Sequence, residues 1–75
     1  MIDFPTHQDV GPKIGANLVA CREQLGWNQQ ELAHRVGVNP STISRQERGE
    51  FIPPTLSVIR YAQVLGVNPS EIIDV

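Results

Sequence analysis

Residues Asn28 to Gly49 read NQQELAHRVGVNPSTISRQERG, and the starts and stops within that stretch decide the fold. Asn28 is a good N-cap, and Glu31 three residues on can complete a capping box ahead of the apolar pair Leu32 and Ala33. Gly37 is a helix stop, because glycine takes the left-handed conformation past a helix end at little cost. Asn39 and Pro40 then restart the chain. Asparagine caps, and proline suits the first helical position, where its missing N–H would have had no partner. Gly49 stops the second segment, and Pro53-Pro54 forbids helix until about Thr55. The stretch therefore predicts two short helices, 29 to 36 and 40 to 48, joined by a tight turn.

Working outward, the pentapeptide Gly-Val-Asn-Pro-Ser occurs at Gly37 to Ser41 and again at Gly66 to Ser70, with unrelated flanks. It is a helix joint used twice, not a tandem repeat, and Asn68 with Glu71 repeats the capping-box spacing. Helices are expected at about 12 to 25, 29 to 36, 40 to 48, 55 to 65 and 69 to 73. An N-terminal arm of residues 1 to 11, including His7, precedes a single domain of residues 12 to 75. The apolar spacing is helical, with no strand-like alternation. Ile14, Leu18, Cys21 and Leu25 form a stripe on helix 1; Leu32, Ala33 and Val36 on helix 2; Val58, Tyr61, Ala62 and Leu65 on helix 4. Helix 3 has only Ile43 as a clear apolar residue, so neighbours must hold it and its other faces are polar. The expected fold class is all-α, a compact five-helix bundle.

A chain of 75 residues with 40% apolar and 19% charged residues is one small globular domain, with little room for an enzyme cleft. Cys21 is the only cysteine, and with His7 and His34 it has no zinc-ligand spacing. Neither a metal nor a cofactor is expected. Cys21 on an apolar stripe reads as a small hydrophobe, and His34 as a solvated residue of helix 2. No apolar run approaches the roughly 20 residues of a membrane span, and the start lacks the pattern of a signal peptide. A cytoplasmic location without membrane contact is expected. Net charge is −2, but the acidic excess lies at the ends. Between Val10 and Gly66, Lys13, Arg22, Arg35, Arg45, Arg48 and Arg60 outnumber Glu23, Glu31, Glu47 and Glu50.

A helix-turn-helix places its second helix in the major groove of DNA while the first crosses the backbone. Its requirements are met: small Ala33 where helix 3 crosses, Gly37 at the break, Val38 to plug the turn and Ile43 to anchor helix 3. From Ile14 to Ile73 the sequence resembles the phage repressor and Cro proteins, the Xre family. The resemblance rests on Arg22, Leu25-Gly26-Trp27-Asn28-Gln29, Glu31-Leu32-Ala33, Val36-Gly37-Val38, Ser41-Thr42-Ile43-Ser44-Arg45, Glu47, Gly49, Pro53 and Leu65-Gly66-Val67.

The resemblance implies double-stranded DNA as partner and a phage repressor-like arrangement of the domain. By position it directs Asn39, Ser41, Ser44 and Arg45 toward base edges. Asn28, Gln29, Thr42 and Arg48 fall at phosphate-contacting positions. Arg45 is the sharpest candidate, since a planar guanidinium can bond guanine O6 and N7 together. The hydroxyls of Ser41, Thr42 and Ser44 have a local alternative, hydrogen bonding to nearby backbone. Arg22 and Glu47 match the family's internal ion pair between helices 1 and 3. Trp27 replaces the usual aliphatic residue and is expected in the core. Two departures stand out. Glu50-Phe51-Ile52-Pro53-Pro54 follows the recognition helix where relatives often carry basic residues, and Pro40 replaces a side chain that some relatives use on a base.

Phe51, Ile52, Leu56, Ile59, Ile72, Ile73 and Val75 exceed what one small core absorbs. Ile72, Ile73 and Val75 are the expected homodimer interface, which would set two recognition helices about 34 Å apart on a palindromic operator. The leading expectation is a dimeric, sequence-specific repressor. The alternative is a protein-interaction module, such as an antitoxin that neutralises a partner protein. An enzyme is not expected, because Cys21 and His34 have no evident third partner.

Overall fold

The computed structural model describes residues 7–74, and among them the secondary structure is entirely helical: α1 His7–Gln24, α2 Gln29–Val36, α3 Pro40–Glu47, α4 Thr55–Leu65 and α5 Pro69–Ile73. The five-helix fold follows the expected order. Its joints are local. Asn28 Oδ1 accepts from the Glu31 amide at 2.8 Å, and Asn39 Oδ1 from the Ser41 amide at 3.0 Å. Gly37 takes φ +82° and returns its amide to Ala33 O at 2.8 Å, a left-handed stop that a Cβ would strain. The two expected capping boxes part company. At α5 the Glu71 carboxylate accepts from the Asn68 amide at 2.8 Å, whereas the Glu31 carboxylate turns to Arg35 at 3.1 Å.

Both ends of helix 1 differ from expectation. The helix begins at His7, so residues 7 to 11 of the expected arm belong to α1, while residues 1 to 6 lie outside the described residues. Pro12 is inside the helix and removes one backbone hydrogen bond, to the carbonyl of residue 8. Its partner in packing is the backbone of Gly49. A Cβ on Gly49 would lie 2.6 Å from Pro12 N, so the two chains meet backbone to backbone. Val10 packs on the core and draws the extra turn inward. At the other end α1 stops at Gln24, and Gly26 at φ +72° reverses the chain. Leu25 therefore leaves the apolar stripe and is 43% exposed, and Trp27 packs against the core in its place.

The core joins Ile14, Leu18 and Cys21 of α1, Leu32, Ala33 and Val36 of α2, Ile43 of α3, the four stripe residues of α4, and Ile72 of α5. Each fully buried aliphatic side chain, such as Leu18 or Leu32, contributes about 1.5–3 kcal/mol. Ile72 is completely buried within the single chain, which corrects its placement in a dimer interface. The five-residue α5 is too short to stand alone and is pinned by Asn17, whose Nδ2 donates to Ile72 O and Asp74 O, both at 2.9 Å. That pinning rotates Ile72 inward and leaves Ile73 49% exposed. Val75 lies outside the described residues. No described helix is long and apolar enough to cross a membrane, and no described cluster of His, Cys, Asp and Glu could hold a metal ion.

Candidate nucleic-acid interface

Helix α3 carries one apolar anchor, Ile43, yet it is fixed at several points along its inner side. Its last residue, Glu47, meets Arg22 of α1 through two hydrogen bonds, Nε to Oε2 at 2.8 Å and Nη2 to Oε1 at 3.0 Å. The third nitrogen of Arg22 donates to Trp27 O at 2.8 Å, and Gln29 Nε2 donates to Glu47 Oε1 at 2.8 Å. One carboxylate thus ties α1, the start of α2 and the end of α3 together. The side chains of Arg22 and Glu47 are 12% and 4% exposed, so the pair works away from bulk water. The hydrogen bond with Glu47 is the largest influence holding the Arg22 guanidinium charged, against the opposing pull of burial.

A second anchor was not foreseen. Gln46, on a helix whose faces other than that of Ile43 are polar in sequence, is 2% exposed, and its Oε1 accepts from the hydroxyl of the fully buried Tyr61 on α4. Burial pushes the Tyr61 phenol above its ordinary range, with the Gln46 hydrogen bond acting the other way. The sequence does hold a signal for this pair, since a tyrosine on an apolar stripe needs a hydrogen-bond partner. It does not say which residue supplies it.

The third support has no side chains. A Cβ on Gly15 would run into Glu47 O and lie 2.7 Å from Gln46 O; a Cβ on Gly11 would lie 2.8 Å from Gly49 O. Gly11 and Gly15, one helical turn apart, make a seat on α1 in which the C-terminal end of α3 rests. Their spacing is visible in the sequence, but nothing local connects it to α3.

The outward side of α3 is different. Arg45 is exposed, and its guanidinium has no hydrogen-bond or ion-pair partner among the described residues. Ser41 is exposed, and its hydroxyl donates to Asn39 Oδ1 at 3.0 Å, a local bond to the capping side chain and not to the backbone. Ser44 Oγ accepts from Arg48 Nη1 at 2.7 Å, and Arg48 Nε donates to Glu50 at 2.6 Å. Thr42 is half-buried. Asn28 and Asn39 serve as caps, and Gln29 directs one amide N–H inward to Glu47. Arg35 lies over the Trp27 ring, 4.2 Å from its centroid, so this core-edge aromatic also carries a cation. The four base-reading candidates are therefore spread along the segment from the N-cap Asn39 to Arg45 in the last turn of α3, with Ser41 and Arg45 exposed, and Arg22 and Glu47 meet as expected.

A family profile for the helix-turn-helix matches residues 18–72. The chain belongs to this Xre-type helix-turn-helix family. A helix-turn-helix-type transcriptional regulator from Sinorhizobium fredii, y4dJ, is 31% identical over 65 residues, 87% of this chain and 84% of its own length. Another from Methanothermobacter thermautotrophicus is 44% identical over 45 residues, 60% of this chain and 65% of its own. The fold is similar to the hypothetical transcription factor NHTF from Neisseria, with a TM-score of 0.82 and 26% identity over 97% of this chain and 84% of that one. It is also similar to the restriction-modification controller protein C.AhdI from Aeromonas hydrophila, at 0.78 and 28% over 81% and 92%. The profile begins at Leu18, so the Gly11 and Gly15 seat lies outside the family's matched segment.

Proposed function

We propose that this Xre-type protein is a sequence-specific transcriptional regulator that binds double-stranded DNA as a homodimer and represses by occluding a promoter. The observation that carries the reading is the two-sidedness of α3. Its inner side is locked by Glu47, Gln46 and the glycine seat, while exposed Arg45 has no hydrogen-bond or ion-pair partner among the described residues. A rigid helix with an uncommitted guanidinium is what bidentate reading of guanine in the major groove requires. Asn39, Ser41, Ser44 and Arg45 read base edges. Asn28, Gln29, Thr42 and Arg48 contact phosphate. Such a regulator works in the cytoplasm.

The dimer surface is a shallow apolar groove of about 220 Å³ lined by Ile52, Pro53, Val58, Ile59, Pro69 and Ile73 among others. Ile52, Ile59 and Ile73 are 39%, 40% and 49% exposed there, and a second copy of the chain covers them. With Ile72 committed to the core, Ile73 and its neighbours on α4 take over the expected role.

Selection of bound sites from a random DNA pool tests the reading. An inverted repeat with half-sites about 34 Å apart is expected, and Arg45→Ala should lose preference at one position per half-site, a change of about 1–3 kcal/mol. A pool that yields no enriched motif overturns sequence-specific binding. Sedimentation showing a strict monomer with and without the enriched DNA overturns the dimer.

A further inference from the structure

The loop after α3 contains a contact that opposes backbone binding. Arg48 is the C-cap of α3, and Gly49 follows in the left-handed region at φ +77°. This turn brings the Glu50 amide back onto Arg45 O at 3.0 Å, so Glu50 is fixed to the end of the helix that carries Arg45. Its carboxylate lies against Arg48, with Nε at 2.6 Å and Nη2 at 2.5 Å from the same oxygen. The remaining nitrogen, Nη1, donates to Ser44 Oγ at 2.7 Å. The guanidinium is thus laid back along the helix between an acid and a hydroxyl. Both charged side chains are largely exposed, at 60% and 47%, so water and salt hold the pair to a weak, displaceable contact. A DNA phosphate offers the same guanidinium an anionic oxygen of the same kind.

We propose that Glu50 sets the DNA-binding strength and specificity of this protein by standing in for a phosphate on Arg48, a reading that rests on the DNA-binding function proposed above. On DNA without a cognate site, Arg48 stays with Glu50 and Ser44 and contributes no phosphate contact. On a cognate site, Ser44 turns to the bases and Arg48 exchanges the Glu50 carboxylate for the backbone. Attenuating Arg48 at the C-cap of the recognition helix falls hardest on non-specific binding, which is built almost wholly from phosphate contacts.

The test compares wild type, Glu50→Gln, Arg48→Ala and the double variant on mixed-sequence duplex DNA across a salt series, with circular dichroism to confirm equal helix content. Glu50→Gln should bind this DNA about 3- to 10-fold more tightly at low salt, with a log–log salt slope steeper by about 0.9, one more phosphate engaged. In the Arg48→Ala background the same substitution should have no effect. Unchanged affinity and slope for Glu50→Gln overturns the proposal. So does a gain that persists without Arg48, which would make Glu50 a general repulsive charge. If no variant binds DNA of any sequence, the DNA-binding function itself falls along with this inference; a wild type that binds while Glu50→Gln matches it removes only the role of Glu50.

Discussion

Arg22 and Glu47 hold each other through two hydrogen bonds of 2.8 and 3.0 Å across 25 residues of sequence, at the point where α1 meets the end of α3. Removing the cation alone leaves a carboxylate with 4% exposure whose remaining side-chain hydrogen-bond partner among the described residues is Gln29. Arg22→Ala should therefore cost about 3–5 kcal/mol in urea unfolding. Arg22→Met with Glu47→Leu should recover most of that loss, because no buried charge is left alone. Equal destabilisation by the single and double variants would show that packing, not charge, dominates the site.

Gly15 and Gly26 separate two reasons for a glycine. Gly26 has φ +72° and open space around it, whereas Gly15 is helical and its Cβ would strike the carbonyls that end α3. Gly26→Ala should cost about 1–2 kcal/mol through backbone strain alone and leave DNA affinity unchanged. Gly15→Ala should cost a similar 1–3 kcal/mol by overpacking but should also weaken DNA binding, since α3 must shift. Thermal melts and DNA titrations on both variants check the contrast, and equal DNA affinity would argue against the seat.

Gln46 and Tyr61 form a buried polar pair whose members cannot be removed singly without leaving an orphan. Tyr61→Phe strands the Gln46 amide oxygen and should destabilise by about 1–3 kcal/mol. Adding Gln46→Leu removes the remaining unsatisfied amide, so the double variant should be the more stable of the two in denaturant melts.

Alkali should unfold the protein through two buried acids. The Cys21 thiol is raised from its ordinary value of 9.0, by burial first and by the Glu71 carboxylate second, and the Tyr61 phenol from 10.0 chiefly by burial. Both folded groups hold their protons more tightly than the unfolded chain does. Their contribution is complete below pH 9 and is lost as pH rises through the ordinary values toward the raised ones. Thermal stability should fall from about pH 9 upward, and in Cys21→Ala the fall should begin nearer pH 10. An identical pH profile in that variant would remove Cys21 from the account.

The helix joints were legible because their causes are local. Asn28, Gly37, Asn39, Pro40 and Gly66 act on backbone groups within about four residues, so their identity and spacing sufficed to bound four of the five helices to within a residue or two. The stripe of apolar residues likewise named nearly all the core. Leu25 was misplaced because the stripe's period continued one residue past a stop that Gly26 imposes. Arg22 with Glu47 was legible only through resemblance to a family, since no local rule joins residues so far apart.

The amino-acid sequence by itself determined where the helices begin and end, which faces they bury, and that Arg45 lies on a helix too polar to be core. Tertiary structure alone decided that α1 extends to His7 over Pro12, that Ile72 turns inward while Ile73 stays exposed, that Gln46 is buried, and that Gly11 and Gly15 are seats for α3. The physical reason is range. A cap or a stop is satisfied by atoms a turn away, but whether a glycine is a seat or a polar residue is buried depends on which backbone arrives from elsewhere in the chain, and that becomes defined only when the helices pack.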